Sequence, residues 1–355
     1  MSERCPCDEL SFAEEVRLDR STLERYVTCP FMGKAVETGL VTDDSLFALS
    51  GSEAHDAYGA IVHEFVQGQN DSRQLADIGL IAARTSNPLV QPDVLEAVKP
   101  SLSKFAWLLV NREDGKIRNA DDVLRYQGGE NGRGGQLTVK IEPETGDSVY
   151  LLTSEVDLLM AGYNERHLQE TDWKSGRAKW CATDIRRSFQ FPFHAFLMFE
   201  NYPDLMSLSV RVWMTRFGYA TDYAEFRRDE MPDIRARVMR ALVEREDAMS
   251  KDVPAVNPFD EQCVWCPVAG RYGADKVPLC PAISHEAEDV ATDPKAFLAE
   301  YVAKQADLEK RKRLLYAYAK GHGPIEAAGV VCGVKPPAKG RMGVYAVGNS
   351  DEAGD

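Results

Sequence analysis

The spacing of apolar residues predicts that the first third of the chain is helical. Between Ser52 and Gln67, apolar side chains recur at every third or fourth position, which is the repeat of one face of an α-helix. The same spacing predicts a helix over about Pro92–Asn111. A shorter helix is predicted to begin at Ser21, because a serine followed three residues later by a glutamate, here Glu24, is the capping-box pattern of a helix start.

After residue 135 the pattern changes from helical spacing to the two-residue alternation of strands. Strands are predicted over Gln136–Glu142, Val149–Met160 and His167–Lys174, with turns between them. The Gly-, Asn- and Asp-rich stretch over 114–135 is predicted to be a mobile loop. A helix over 183–200 is predicted to follow the strands.

Further along, strands are predicted over 207–217 and 220–227, then a helix over 231–250 and another near 294–320. This order of elements indicates an α/β fold in which a mixed central sheet is flanked by helices. The predicted organisation is a flexible leader over 1–20, an N-terminal helical region over 21–135, the α/β core over 136–255, a cysteine-rich loop over 256–290, and a C-terminal helix, small hairpin and acidic tail over 291–355.

The chain has 355 residues and a net charge of −14. No apolar run is long enough to cross a bilayer and the first residues are too polar for a secretory signal, so we expect a soluble, cytoplasmic protein without membrane partners. The acidic balance argues mildly against nucleic-acid binding, since Lys and Arg bind phosphates. Basic residues nevertheless cluster at 177–179 and 186–187, between the predicted strands and the next helix.

Asp172 and Lys174 lie two residues apart in a predicted strand, so their side chains share one face of it. Glu155 and Asp157 have the same spacing in the preceding predicted strand. If the two strands pair across the turn at 162–165, the acids and the lysine meet. Carboxylates bind Mg²⁺ or Mn²⁺, such a metal activates water against a phosphodiester, and a lysine beside it stabilises the transition state. A solvent-facing ion pair is the ordinary alternative for an Asp-x-Lys pair.

Two helices carry candidate residues that are predicted to face this strand pair. His63, in a Gly-Ala-Ile-Val-His segment, is either an ordinary histidine or an imidazole ligand that favours Mn²⁺. Gln190 and His194 lie four residues apart and therefore on one helix face, from which Gln190 could orient Lys174 or the attacking water. Pro192 requires that this helix begin close by or bend there.

Gly-x-x-x-His, then Val-Asp, then Asp-x-Lys, then Gln-x-x-x-His, in this order, resembles the motif series of the RecB-like branch of the PD-(D/E)XK nucleases, which includes AddB-type helicase–nucleases and CRISPR-associated and phage exonucleases. The resemblance covers about residues 21–285 and implies a restriction-endonuclease-like core. The site residues that it implies are the metal ligands His63, Asp157 and Asp172, the catalytic lysine Lys174 and the supporting Gln190. Glu155 and His194 are secondary candidates for the site. Glu155 is not a position of the family motifs, and His194 stands where the family usually has tyrosine.

Cys263, Cys266 and Cys280 fall in one short stretch, and Cys29 lies far upstream. In a chain expected to be cytosolic, such spacing indicates metal binding rather than disulfides. Four thiolates suffice for a structural zinc ion or an iron–sulfur cubane. One cysteine before the nuclease core and three after it resemble the iron–sulfur nucleases of the same family, which implies a structural 4Fe–4S cluster. The alternatives are zinc, unligated thiols, or one of the two leader cysteines in place of Cys280.

These features predict a metal-dependent exonuclease that hydrolyses phosphodiester bonds at DNA ends, preferentially single-stranded, in recombination, repair or replication. The end preference comes from the resemblance alone. The chain has no Gly-x-x-x-x-Gly-Lys-Ser/Thr loop, so a helicase or recombinase would be a separate partner. Two alternatives stay open: an endonuclease with the same chemistry, and a non-catalytic DNA-binding scaffold on the same fold. Trp213 and Tyr219 are candidates for stacking on nucleic acid, with core packing as the ordinary alternative.

Overall fold

In the computed structural model of the protein, the chain forms two compact units, Met1–Arg271 and Tyr272–Asp355. The residues that the structure describes are 14–42, 46–86, 92–111, 117–130, 133–142, 148–176, 179–257, 263, 266–268, 271, 279–282, 294–322, 325–327, 330–334 and 342–346. In the described part of the chain, no helix combines the length and the apolar character needed to cross a membrane.

The first unit begins with one strand and continues with helices. These elements are β1 (Glu14–Asp19), α1 (Arg20–Thr28), α2 (Pro30–Glu37), α3 (Leu46–Val66), α4 (Ser72–Ser86) and α5 (Pro92–Val110). The side chain of Asp19 caps α1 by accepting a 2.6 Å hydrogen bond from the N–H of Thr22, so the predicted cap at Ser21 is wrong. The leader prediction is wrong over 14–19, because this segment pairs with a core strand and buries Leu18.

The larger sheet has six strands in the order β2-β5-β6-β7-β8, with β9 also paired to β7. Its strands are β2 (Val123–Tyr126), β5 (Leu158–Ala161), β6 (His167–Lys174), β7 (Ser207–Met214), β8 (Tyr219–Ala220) and β9 (Ala224–Arg227). β2 lies within the stretch predicted as a loop. β5 and β6 are antiparallel, as the turn predicted, whereas β6 and β7 are parallel. Parallel neighbours need a crossover connection, and helices supply it here.

The crossover contains α6 (Ala182–Arg187) and α7 (Gln190–Asn201), where the sequence predicted one continuous helix. Pro192 lies in the first turn of α7, one of the two arrangements that the sequence allowed. Every residue of α7 from Gln190 to Phe199 is buried. The helix is apolar around most of its circumference, which is the pattern of a core helix. It contacts β3, β4, β7 and α8 (Met231–Ser250).

A smaller sheet has the order β1-β4-β3 and contains β3 (Gln136–Ile141) and β4 (Ser148–Glu155). The single strand predicted over Val149–Met160 is therefore wrong: β4 ends at Glu155 and β5 begins at Leu158 in the other sheet. The glycine-rich segment forms hydrogen bonds with the two residues that lie between β4 and β5. The N–H of Val156 donates to the carbonyl of Gly135 at 2.9 Å, and the N–H of Gln127 donates to the carbonyl of Asp157 at 3.0 Å.

The second unit contains α9 (Pro294–His322) and a three-stranded antiparallel sheet. Its strands are β10 (Ile325–Ala327), β11 (Val330–Val334) and β12 (Met342–Ala346). The predicted C-terminal helix is confirmed, and the predicted hairpin is accompanied by a third strand. The first unit has the predicted architecture of mixed sheets flanked by helices.

Candidate active site

Asp172, Lys174 and Gln190 form a closed polar group at the C-terminal end of β6. The Gln190 amide bridges the other two side chains: Nε2 donates to Asp172 Oδ1 at 2.5 Å, and Oε1 accepts from Lys174 Nζ at 2.8 Å. Lys174 Nζ also lies 2.8 Å from Asp172 Oδ2. Asp172 is 3% exposed, and the lysine side chain is 25% exposed. The structure thus brings together the three residues that the sequence placed on one strand and one helix face.

Both oxygens of the buried Asp172 carboxylate have a polar neighbour in this group. Oδ1 accepts from the Gln190 amide, and Oδ2 lies 2.8 Å from the Lys174 ammonium in an ion pair. A buried carboxylate is costly unless a cation or a donor reaches it. Carboxylate oxygens are also the ligands that a hard divalent cation prefers.

Asp157 lies at the break between the two sheets. Its Oδ2 accepts a 2.6 Å hydrogen bond from the backbone N–H of Trp173, the residue between Asp172 and Lys174. Asp157 is 7% exposed. The prediction that Glu155 and Asp157 share one strand face is wrong, because the strand ends at Glu155. Glu155 is exposed and lies on the wall of a neighbouring cleft.

That cleft has a volume of about 450 Å³ and is lined by two histidines of α3. His55 Nδ1 lies 3.2 Å from Asp157 Oδ1 and 2.7 Å from Gln127 Oε1. His63, which the sequence favoured as the ligand, has its Nδ1 2.9 Å from the hydroxyl of Tyr126 instead. His55 was missed, although it ends a second Gly-x-x-x-His segment that begins at residue 51.

The carboxylate of Asp157 changes the acid–base chemistry of His55. Burial alone lowers the pKa of this imidazole, but the hydrogen bond and the charge of Asp157 outweigh it and raise the pKa to about 9. The Gln127 amide and the charge of Asp172 act in the same direction. Without a metal, His55 is therefore a protonated partner of Asp157 at neutral pH.

A second polar chain lies deeper on the same face of β6. His194 Nδ1 lies 2.5 Å from Glu170 Oε1, and His194 Nε2 lies 2.9 Å from Ser154 Oγ. Glu170 is 0% exposed and His194 is 1% exposed. Gln190 and His194 therefore both face β6, one turn apart, as their spacing predicted, and each contacts an acid of the strand.

The four cysteines of the predicted cluster site all lie among the described residues. Cys29 lies between α1 and α2. The side chain of Asn257 donates to the carbonyl of Thr28 at 3.1 Å, while the Asn257 carbonyl lies 3.8 Å from Cys263 Sγ. The N–H of Cys266 donates to the Cys263 carbonyl at 3.3 Å.

Cys280 belongs to the second unit, and the two leader cysteines are outside the described residues. Among the residues with a described position, no three or more His, Cys, Asp or Glu side chains are grouped as a metal site. This applies to the cysteines and to the acids alike.

The two aromatic candidates have different surroundings. Trp213 is 1% exposed in the core, so the suggestion that it stacks on nucleic acid is wrong. Tyr219 is half-buried at the start of β8. Trp173 is also buried in the core, as its position on the opposite strand face predicted.

Comparison with known proteins gives one informative match. The family model described as the PD-(D/E)XK nuclease superfamily matches residues 18–271, which is most of the chain. A comparison with curated proteins gives no match. Among solved structures, Scheffersomyces stipitis Rai1 is similar at 13% identity and a TM-score of 0.23, over 48% of this chain and 48% of that chain. The chain thus spans about half the length of that structure, and so low a TM-score carries no structural argument.

The raised pKa of His55 predicts how stability depends on pH. Because the folded-state pKa of about 9 is above the ordinary value of 6.5, the stabilisation is fully present below pH 6.5 and is lost as the pH rises through 9. In protein treated with a chelator, we expect wild type to lose about 1–3 kcal/mol of unfolding free energy across this range relative to His55→Gln. Urea unfolding at a series of pH values measures this difference. Parallel pH curves for the two proteins would contradict the assignment.

The buried Glu170–His194 pair predicts a coupled effect on stability. His194→Phe leaves the Glu170 carboxylate without its imidazole partner, and such a loss costs about 3–5 kcal/mol. The double variant Glu170→Leu/His194→Phe is expected to recover much of this loss, because both polar groups are then gone. Urea unfolding of the single and double variants completes the cycle. Strictly additive effects would show that the two side chains do not interact.

Proposed function

The chain belongs to the PD-(D/E)XK nuclease superfamily, and from this premise we propose that it is a metal-dependent exonuclease that hydrolyses phosphodiester bonds at DNA ends, preferentially single-stranded. The observation that carries the proposal is the Gln190 amide, which links Asp172 to Lys174 beside Asp157. The motif order of RecB-like nucleases supports the action on ends, a role in recombination, repair or replication, and a separate helicase or recombinase partner.

We assign metal binding to the carboxylates of Asp157 and Asp172. The hard oxygen donors of these two buried carboxylates fit Mg²⁺ or Mn²⁺. The sequence predicted that His63 is the imidazole ligand of the metal. We assign this role to His55 instead, because His55 already contacts Asp157. A bound divalent metal supplies Lewis-acid stabilisation of the phosphate and lowers the pKa of water.

The remaining chemistry belongs to Lys174 and Gln190. The Lys174 ammonium, 25% exposed, is positioned to stabilise negative charge on the phosphate as the bond to the attacking oxygen forms. Gln190 holds that ammonium at 2.8 Å through its carbonyl oxygen, and the same ammonium lies 2.8 Å from Asp172 Oδ2. His55 has to lose its proton before its imidazole can bind a metal.

We also propose that Cys29, Cys263 and Cys266 are ligands of a structural 4Fe–4S cluster, with zinc as the alternative. Support comes from the cysteine spacing and from Asn257, which contacts both the Cys29 turn and Cys263 Sγ. A cluster with these ligands would close a chain segment of more than 200 residues, where a cross-link removes much entropy from the unfolded chain.

The activity predicts that end-labelled linear DNA is degraded in Mg²⁺ or Mn²⁺ and that closed circular DNA is not. Asp172→Ala and Lys174→Ala are each expected to lower the rate by at least about 100-fold, because each removes a group that stabilises the transition state. Lys140→Ala is the matched control, since this lysine is 55% exposed on β3 and pairs with Glu142 on the surface. Rates are measured on single- and double-stranded substrates.

If the wild-type protein cleaves closed circular DNA and the same variants lose this cleavage, the activity is that of an endonuclease and not of an exonuclease. Metal-independent DNA binding without cleavage of any substrate by the cluster-loaded protein would instead favour a non-catalytic scaffold.

The cysteine proposal predicts that anaerobically purified protein contains iron and acid-labile sulfide and absorbs visible light. Cys29→Ser is expected to lose the metal and to unfold at a lower urea concentration. Cys181→Ser is the matched control, because Cys181 is exposed at the start of α6. Elemental analysis distinguishes iron from zinc. Protein without either metal, or identical behaviour of the two variants, would refute the site.

A further inference from the structure

The turn between β7 and β8, residues Thr215–Gly218, is attached directly to the end of the strand that carries Lys174. The backbone N–H of Thr215 donates to the Lys174 carbonyl at 3.1 Å, and the Thr215 hydroxyl donates to the same oxygen at 3.3 Å. Thr215 is 4% exposed. The position of this turn is therefore fixed relative to the backbone of the proposed catalytic lysine.

The conformation of the turn is fixed as well. The N–H groups of Phe217 and Gly218 both donate to the Met214 carbonyl, at 3.0 and 2.9 Å. Gly218 has a φ of +61°, and a Cβ at this position would lie 3.3 Å from Cα of Ser101 on α5. Only glycine adopts this backbone conformation freely and fits this space. A side chain carried by the turn is thus presented in one place.

The turn presents an aromatic ring to solvent. Phe217 is 42% exposed, and its ring centroid lies 6.1 Å from that of Tyr219 at an interplanar angle of 35°. The ammonium of Lys179, itself exposed, lies 5.7 Å from the centre of the Phe217 ring. The next residue, Trp180, has its ring 5.8 Å from Lys174 Nζ. One exposed ring, Phe217, and two partly buried rings, Tyr219 and Trp180, therefore lie near the ammonium groups of Lys179 and Lys174.

We propose that Phe217 and Tyr219 form a stacking platform that binds an unpaired nucleobase of single-stranded DNA, while Lys179 contacts the adjacent phosphate. The proposal rests on the proposed nuclease function and names how its substrate is held. An aromatic face binds any base without sequence preference. In a duplex the base faces are already stacked on their neighbours, so this platform selects unpaired ends. The exposed ammonium of Lys179 beside the ring favours a polyanion over an apolar protein partner.

The first test is steady-state cleavage of a single-stranded oligonucleotide. Phe217→Ala is expected to raise KM by about 5- to 100-fold, the effect of losing one stacked base, with kcat unchanged within about 2-fold. Phe217→Trp retains an aromatic face and is expected to preserve KM. Tyr163→Ala is the matched control, because Tyr163 is a 72% exposed aromatic residue in the turn before β6, at the opposite end of the strand from Lys174.

A substrate with abasic sites at its terminal nucleotides makes the test specific for stacking. Wild type and Phe217→Ala are expected to have the same KM on this substrate, because it offers no base to the platform. If the difference persists on the abasic substrate, or if Phe217→Ala matches Tyr163→Ala on the normal one, the platform is refuted while the nuclease function stands.

Binding without cleavage separates the two proposals further. In Asp172→Asn protein, an oligonucleotide carrying 2-aminopurine near its end is expected to lose fluorescence on binding, and Phe217→Ala in the same background is expected to abolish that loss. Such a result without cleavage by wild type would support the platform and refute the nuclease. Equal fluorescence changes with and without Phe217, or no binding of single-stranded DNA at all, would refute the platform.

Discussion

The site depends on keeping two carboxylates, Asp157 and Asp172, almost entirely out of water, at 7% and 3% exposure. A buried carboxylate is stable only if its oxygens find donors or cations. The protein supplies these from three different parts of the chain: the Trp173 backbone and Lys174 ammonium of β6, the Gln190 amide of α7 and the His55 imidazole of α3. The relative positions of α3, α7 and the two sheets therefore matter to the site.

The position of α7 relative to β6 is set by two polar contacts on one face of the helix. Gln190 hydrogen-bonds Asp172, and one turn later His194 contacts Glu170. A helix held by a single polar contact could shift along the strand, whereas two contacts at helical spacing opposite two strand residues fix its register. Because His194 also contacts Ser154 of β4, the same side chain connects the larger sheet to the smaller one. The buried pair thus positions the Gln190 amide without touching the proposed metal ligands.

Local patterns predicted the parts of the site that lie within one element. Alternation placed Asp172 with Lys174, and helical spacing placed Gln190 with His194. The break before Asp157 was not predictable, because the alternation of polar and apolar residues from Glu155 to Leu158 continues through it and only pairing with two different sheets ends the strand. The sequence also could not show which of His55 and His63 is the candidate metal ligand, because both end a Gly-x-x-x-His segment and lie on the same helix. Contacts with a loop and a distant carboxylate, which no local pattern contains, separate them.

An acidic chain that acts on DNA has to gain affinity from something other than its overall field, since a net charge of −14 repels phosphates at long range. Three short-range interactions are available at the end of β6. A divalent cation on the two carboxylates would neutralise their charge, the ammonium groups of Lys174 and Lys179 would act within a few ångströms, and the Phe217 ring would offer stacking that needs no charge. All three are confined to one edge of the sheet. For the proposed nuclease, repulsion elsewhere would disfavour binding along the length of a duplex, and an unpaired end that reached the site would gain the full set of contacts.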